Sequence, residues 1–327
     1  MKKVIIVFGI WGIGKSYYCT NFVKEHPEYI IAGAETSIDE LLKNKYVIMD
    51  YYFYNDYNAN KLRESLNCPV EIRVLYDDPE IITKRQIYYK TNEQNVSCYA
   101  SINLYSKDYK ELIDLSTCKI FYKEKEITIE EFKNKIVENN KPYTQEKIIE
   151  HMDWMRKNEG DPDYQDMDFS YGIKLGKEGY SRNKQEWNIL KDLIDWKNKK
   201  VLELGGYHGY FSQEIWNIGG IPTLIDIEPS VLYTASIFAR IKEMNFAIIK
   251  KDLNIGFPDG QYDIALCMNI LHHIKNQNLL FDYLKNLPLI LFAINKGDVN
   301  KIDKYFDSIR VLNSPKDNRI FCLVKPK

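Results

Sequence analysis

Two rhythms of apolar and polar positions alternate along this chain. Short β-branched runs read as strands. Between them, apolar residues recur at three- and four-residue spacing and read as helices. In the front half the strand runs are 3–8, 29–32, 45–50, 70–76 and 118–122. Helices are predicted over 15–24, 37–42, 79–90 and 128–137, the second with Ser37 as cap and Glu40 at the capping-box position. A polar break at 138–144 contains Pro142, and a helix follows through Ile148, Ile149, Met152 and Met155. The back half repeats the strand rhythm at 200–204, 222–226, 246–252 and 262–268, and closes with runs at 289–294, 308–312 and 319–324. Strands alternating with helices predict α/β architecture with parallel sheets and ligands at the carboxyl ends of the strands. The organisation expected is a first domain over 1–140, a linking helix over 141–165 and a second domain over 166–327.

Composition narrows the classes. The chain has 327 residues with 45% hydrophobic and 28% charged positions, enough for two sizeable cores. A net charge of −1 supplies no global field toward nucleic acid or anionic lipid. No apolar run is long enough to span a membrane, and Met1-Lys2-Lys3 with its short apolar run lacks the small-residue cleavage site of a signal peptide. The six cysteines form no C-x-x-C pair and read as reduced thiols, so a cytoplasmic location is expected. The four aspartates Asp161, Asp163, Asp166 and Asp168 lack the glycine and terminal glutamate of a calcium loop and read as a solvated loop.

The first strand leads into Gly9-Ile10-Trp11-Gly12-Ile13-Gly14-Lys15-Ser16, a G-x-x-x-x-G-K-S pattern followed by helix. Gly9, Gly12 and Gly14 let backbone N–H groups turn inward around a phosphate, and the helix start adds positive dipole. Lys15 suits the β- and γ-phosphates, and Ser16 suits Mg²⁺. Residues 1–140 resemble the small P-loop kinases of nucleotides and other metabolites. The resemblance implies ATP and Mg²⁺, with Asp50 supporting the metal or the acceptor hydroxyl and Arg85 as a lid cation on the transferring phosphoryl group. The aromatic run Tyr51-Tyr52-Phe53-Tyr54 after Asp50 either stacks a ligand or packs. Asn295-Lys296-Gly297-Asp298 reads N-K-x-D, but it lies far beyond one nucleotide-binding domain and is taken as chance.

The second informative stretch is a strand carrying Glu203, the turn Gly205-Gly206-Tyr207-His208-Gly209, and a helix. Strands ending in Asp226 and Asp252 follow, then one ending in Asn269 with His272 and His273 beyond it. G-x-x-x-G spacing argues against the G-x-G-x-x-G of an NAD-binding fold. Across 166–327 this series resembles the class I S-adenosylmethionine-dependent methyltransferases, although that family often has glycine where Tyr207 stands. The resemblance implies that Gly205 and Gly209 make room for the methionine part of the cofactor, with Glu203 holding it. Asp226 accepts the ribose hydroxyls, Asp252 meets the adenine amino group, and Asn269 lies beside the methyl group. It also leaves His272 as a general base. His208 either touches ligand or fills space, and the segment 171–182, with Tyr180 and Arg182, reads as a lid or a plain connecting loop.

Together these features imply a two-activity transferase: phosphoryl transfer in front, methyl transfer behind. The acceptor expected is a small nucleotide-linked or sugar-like metabolite, as in surface-polysaccharide tailoring. The rival readings are a nucleic-acid kinase with an RNA methyltransferase, and a non-catalytic regulator that binds ATP and the methyl donor as signals.

Overall fold

A computed structural model of the chain describes residues 3–9, 15–33, 43, 46–51, 66, 68–88, 93–95, 118–139, 141–176, 182–314 and 318–327. They divide into two compact units, one of 1–86 with 100–141 and the other of 87–99 with 142–327. Residues 142–165, expected as a separate linker, therefore belong to the second unit. The short excursion 87–99 belongs there too, although it interrupts the front domain in sequence.

The front unit begins with β1 (Lys3–Phe8), α1 (Lys15–Glu25), β2 (Ile30–Ala32), β3 (Tyr46–Tyr51), β4 (Val70–Tyr76) and α2 (Pro79–Tyr88). After α2 the chain makes β5 (Glu93–Asn95), a strand of the second unit. It then returns to β6 (Cys118–Tyr122), β7 (Lys125–Ile127) and α3 (Ile129–Asn139). The sheet order is β2-β3-β1-β4-β6-β7, parallel except for β7. The apolar run Val4–Val7 is fully enclosed at its centre, as a strand covered on both faces requires. The chain turns from one side of β1 to the other between β3 and β4, so the carboxyl end of β1 is the switch point where such sheets hold ligands. The predicted helix over 37–42 lies outside the described residues.

Sequence reading missed the capping box that starts α3. The Thr128 backbone N–H donates to Glu131 Oε2 (2.7 Å), and the Glu131 N–H donates to Thr128 Oγ1 (3.1 Å). Thr128→Ala should lower the front unit's unfolding free energy by about 1 kcal/mol. Urea titration would check this, and an unchanged midpoint would contradict it.

In the second unit α4 (Gln145–Asn158) leads through a small hairpin of β8 (Met167–Asp168) and β9 (Lys174–Leu175) to α5 (Arg182–Leu190). The doubly wound series follows: β10 (Lys200–Leu204), α6 (Tyr210–Asn217), β11 (Ile221–Asp226), α7 (Pro229–Ile241), β12 (Ala247–Lys251) and β13 (Ile264–Met268). After it come α8 (Gln277–Leu284), β14 (Leu289–Asn295), α9 (Val299–Asp303), β15 (Phe306–Asn313) and β16 (Arg319–Pro326). The eight strands run β15-β16-β14-β13-β10-β11-β12-β5. The five central strands β14, β13, β10, β11 and β12 are parallel. β16 is antiparallel to both β14 and β15, as the closing pattern predicted. β5 adds an antiparallel edge beside β12. The switch point is at the carboxyl end of β10.

The stripe Ile148, Met152, Met155 on α4 is buried in one core cluster with Leu232, Ala235 and Phe238 of α7. That burial is why 142–165 is part of this unit rather than a tether: an apolar helix face left in water would cost about 25 cal/mol per Å².

Candidate functional sites

In the front unit, α1 starts at Lys15 directly beyond the central strand. Gly9 is buried, and the buried Lys15 Nζ donates to its carbonyl at 2.8 Å, which ties the two ends of the glycine segment together. Residues 10–14, including Gly12 and Gly14, lie outside the described residues. Ser16 is exposed in the first turn of α1. Asp50 stands in β3 in register with Val7, but its side chain, like residues 52–65 after it, lies outside the described set.

Arg85 lines a cleft of about 590 Å³ with Tyr17 and Tyr18 of α1, Tyr76 and Asp77 at the end of β4, and Lys123 of the β6–β7 turn. Its guanidinium lies 3.0 Å from Asp77 Oδ2. Lys123 lies 2.7 Å from Asp78 Oδ2. The structure thus brings Arg85 to the same cleft as the start of α1, and adds Lys123, which the sequence did not single out.

In the second unit a pocket of about 580 Å³ opens at the carboxyl ends of β10–β13. Gly205, Asp226, Asp252, Asn269 and His272 all line it, joined by Tyr164, Tyr207, Asn254 and His273. The turn after β10 is pinned to its neighbour strand, for the N–H groups of Gly205 and Gly206 both donate to Ile225 O (2.8 and 3.1 Å). Gly205 has φ +66°, and a Cβ there would lie 2.2 Å from Ile270 Cδ1. A side chain at that point of the wall would strain the backbone at this φ and push the Ile270 side chain aside. Tyr207 adopts φ +56° without being glycine. It is held there because its N–H donates to Asp226 Oδ2 (2.9 Å) and its hydroxyl donates to Asp161 O (2.9 Å).

Asp226 is half-buried. Its Oδ1 accepts the N–H groups of Ile227 (2.7 Å) and Glu228 (3.0 Å). Burial pushes its carboxyl upward, while the three backbone amides pull it down. Asp252 Oδ1 accepts the backbone and side-chain N–H groups of Asn254 (2.8 and 3.0 Å), a local turn that aims the end of β12. Asn269 sits at φ +59°, a left-handed position asparagine tolerates, and its N–H donates to Ala293 O. His272 is exposed beside His273, ring centroids 3.9 Å apart. Desolvation, then the neighbouring imidazole, lower its pKa, so it is neutral at neutral pH.

Two expected ligand contacts are corrected. Glu203 does not face the pocket. It is fully enclosed beneath the turn, and its Oε2 accepts both the N–H (2.9 Å) and the hydroxyl of Ser212. Gly209 (φ +77°) makes room for Leu224, whose Cδ2 would lie 2.8 Å from a Cβ there. Both act on the shape of the turn. His208 is also fully buried, its Nε2 2.6 Å from Glu159 Oε2. The acidic stretch read as solvated loop is partly structural, because Gln165 is buried and Tyr164 stacks edge-on against Tyr207 at 5.1 Å. Tyr180 lies outside the described residues.

The left-handed Gly205 on the pocket wall and carboxylates at two consecutive strand ends suit a neutral ribose and an adenine amino group. The donor set fits S-adenosylmethionine.

Comparison with known proteins agrees. Residues 202–287 match the family described as "Methyltransferase domain". A ubiquinone biosynthesis O-methyltransferase of Coxiella burnetii is 26% identical over 118 residues, covering 36% of this chain and 49% of that protein. The corresponding enzyme of Hydrogenovibrio crunogenus is 28% identical over 90 residues, 27% of this chain and 37% of its own. The chain thus spans half or less of the length of these curated relatives. Among solved structures, a Pyrococcus horikoshii protein is 18% identical and covers 54% of this chain and 99% of its own, with a TM-score of 0.43. The magnesium protoporphyrin IX methyltransferase of Synechocystis, solved with bound S-adenosylmethionine, is 18% identical with a TM-score of 0.37, covering 44% and 76%. Among the described residues no helix is long and apolar enough to cross a membrane. The back of the chain, with its glycine turn and its carboxylates at successive strand ends, thus holds over residues 202–287 a stretch similar to methyltransferase domains, which are transferases.

Proposed function

We propose that the second unit transfers the methyl group of S-adenosylmethionine to a hydroxyl of a small acceptor. The observation that carries this is the pocket over β10–β13, with Gly205, Asp226, Asp252 and His272 on one wall system. Bound there, the cofactor supplies an electrophilic methyl group. Asp226 holds the neutral diol and would repel a 2′-phosphate. Asp252 orients the base. The neutral His272 imidazole at the mouth accepts the acceptor's proton as the new bond forms, so alignment and proton removal carry the step. The relatives named above are O-methyltransferases, which favours an oxygen acceptor. Among small acceptors, a nucleotide-linked or sugar-like metabolite remains our choice.

For the front unit we propose phosphoryl transfer from ATP with Mg²⁺. What supports it is Lys15 at the start of α1 beyond the central strand, with Arg85 and Lys123 in the adjoining cleft. Lys15 would then balance charge on the phosphates and Ser16 would hold the metal.

The test incubates the full chain with methyl-labelled cofactor and γ-labelled ATP, against metabolite extract and against total RNA. Methyl and phosphoryl label should enter small molecules. Asp226→Ala should lose only the methyl label and Lys15→Ala only the phosphoryl label. Label in RNA would replace the small-molecule reading with end processing. Cofactor binding without any turnover would favour a regulator.

A further inference from the structure

The cofactor turn is shaped from outside as well as from its own strand. Helix α6 starts at this turn, and its N-cap is Gly209, which has no side chain to satisfy the first orphan amides. Gln165, 45 residues upstream, supplies what the glycine lacks: its Oε1 accepts the Tyr210 N–H at 3.2 Å. The same amide's Nε2 donates to Gly206 O at 3.0 Å. One buried side chain therefore bridges the two ends of the turn. Four residues earlier, Asp161 O receives the Tyr207 hydroxyl at 2.9 Å. At the head of the segment Glu159 is buried with both oxygens engaged, Oε2 with His208 Nε2 at 2.6 Å and Oε1 with the Thr234 hydroxyl at 2.5 Å. Every residue from Gly206 to Tyr210 except Gly209 is thus tied to the segment 159–165.

We propose that the segment 159–165, through Gln165 and Glu159, is a positioning clamp that sets the cofactor turn before the ligand arrives. This rests on the methyltransferase reading of the pocket. The physical case is preorganisation. The turn contains three left-handed residues, Gly205, Tyr207 and Gly209, one of them not glycine. Released from its ties, such a turn relaxes toward other conformations, and the free energy of re-ordering it is subtracted from ligand affinity. Gln165 is a positioning residue, since it reaches the ligand wall only through Gly206 and Tyr210.

The experiment measures S-adenosylhomocysteine binding to the full chain by calorimetry for wild type, Gln165→Met, Gln165→Glu and Thr144→Ala. The last removes a cap at the far end of α4 and serves as a stability control. Gln165→Met keeps the volume and loses both bonds. Its Kd should rise about tenfold, while its melting midpoint falls no further than the control's. Gln165→Glu keeps an acceptor for Tyr210 but loses the donor to Gly206, and should also weaken binding. Amide exchange over 205–212 should quicken in both variants without ligand and return to the wild-type rate at saturation, which a general loss of stability would not produce. Gln165→Glu decides the matter if the methionine variant does not fold. Wild-type binding with unchanged Kd and exchange in the folded variant would overturn the clamp alone. No binding by wild type would overturn the methyltransferase reading and the clamp with it.

Discussion

Asp226→Ala is expected to abolish measurable cofactor binding and to lower the unfolding free energy of the second unit by about 3 kcal/mol. The stability loss comes from three backbone donors. The N–H groups of Tyr207, Ile227 and Glu228 all point at this one carboxylate, at 2.9, 2.7 and 3.0 Å. Each half-buried donor left without its acceptor costs of order 1 kcal/mol or more. The affinity loss has a separate origin. Charge-assisted bonds to a neutral diol contribute about 1.5–3 kcal/mol each, so losing two should cost at least about a hundredfold in Kd. Without its amide tie, Tyr207 also loses one of the two bonds that keep it at φ +56°. Calorimetry with S-adenosylhomocysteine, beside urea titration of the ligand-free protein, separates the two effects. Asp226→Asn is the informative partner: its Oδ1 still serves Ile227 and Glu228, but its NH₂ faces the Tyr207 donor. It should recover most of the stability and little of the affinity. An alanine variant that binds within a few-fold of wild type would remove Asp226 from the site.

Glu203→Gln should abolish a pH dependence of stability worth about 3 kcal/mol. Burial pushes the Glu203 carboxyl up to about 7, against the two bonds from Ser212 that pull it down. The folded protein therefore holds a proton, between the ordinary carboxylate range and about pH 7, that the unfolded chain has released. Stability then falls as pH rises through that window and levels off above it. This is opposite in sign to the usual salt-bridged carboxylate. Glutamine has the same shape, and its oxygen can accept from Ser212. The variant should lack this part of the slope across pH 5–7 and be more stable than wild type at pH 8 by about 3 kcal/mol. Urea titrations of both proteins at several pH values measure the difference directly. Parallel profiles for the two would show that Glu203 is ionised throughout.

The enclosure of Glu203 also illustrates what could and could not be read from sequence. Its place at the end of an apolar run, two residues before Gly205, marked it as belonging to the cofactor turn. Its direction was invisible, because whether a strand residue faces ligand or core depends on what packs over it. Gly209 is similar. Its place in the turn was legible, whereas its φ of +77° and the Leu224 side chain of the next strand that would crowd a Cβ there were not. The histidines beyond β13 line the same pocket as the strand-end carboxylates, since strand ends in such sheets converge. His208, inside the glycine turn itself, is instead consumed by a buried pair with Glu159.

The domain division separates along the same line. The polar break at 138–144 falls where the front unit ends. Yet β5, three residues within the front half, pairs with β12 more than 150 residues later. A strand that short has no periodicity to detect, and its identity depends wholly on the edge it meets.

What the sequence by itself determined is the order of the longer strands and helices, the turn between β10 and α6, and the acidic residues at the ends of β11 and β12. These are consequences of local rules: side-chain period, φ preferences, and the polarity change where a strand leaves the core. Only the tertiary structure decided which polar groups face the pocket, and which hold it from behind. Gln165, Glu159 and Thr234 meet the cofactor turn or one another across separations of 41 to 75 residues. A buried polar side chain takes whatever partner folding brings within about 3 Å, and that partner leaves no mark on its neighbours in sequence.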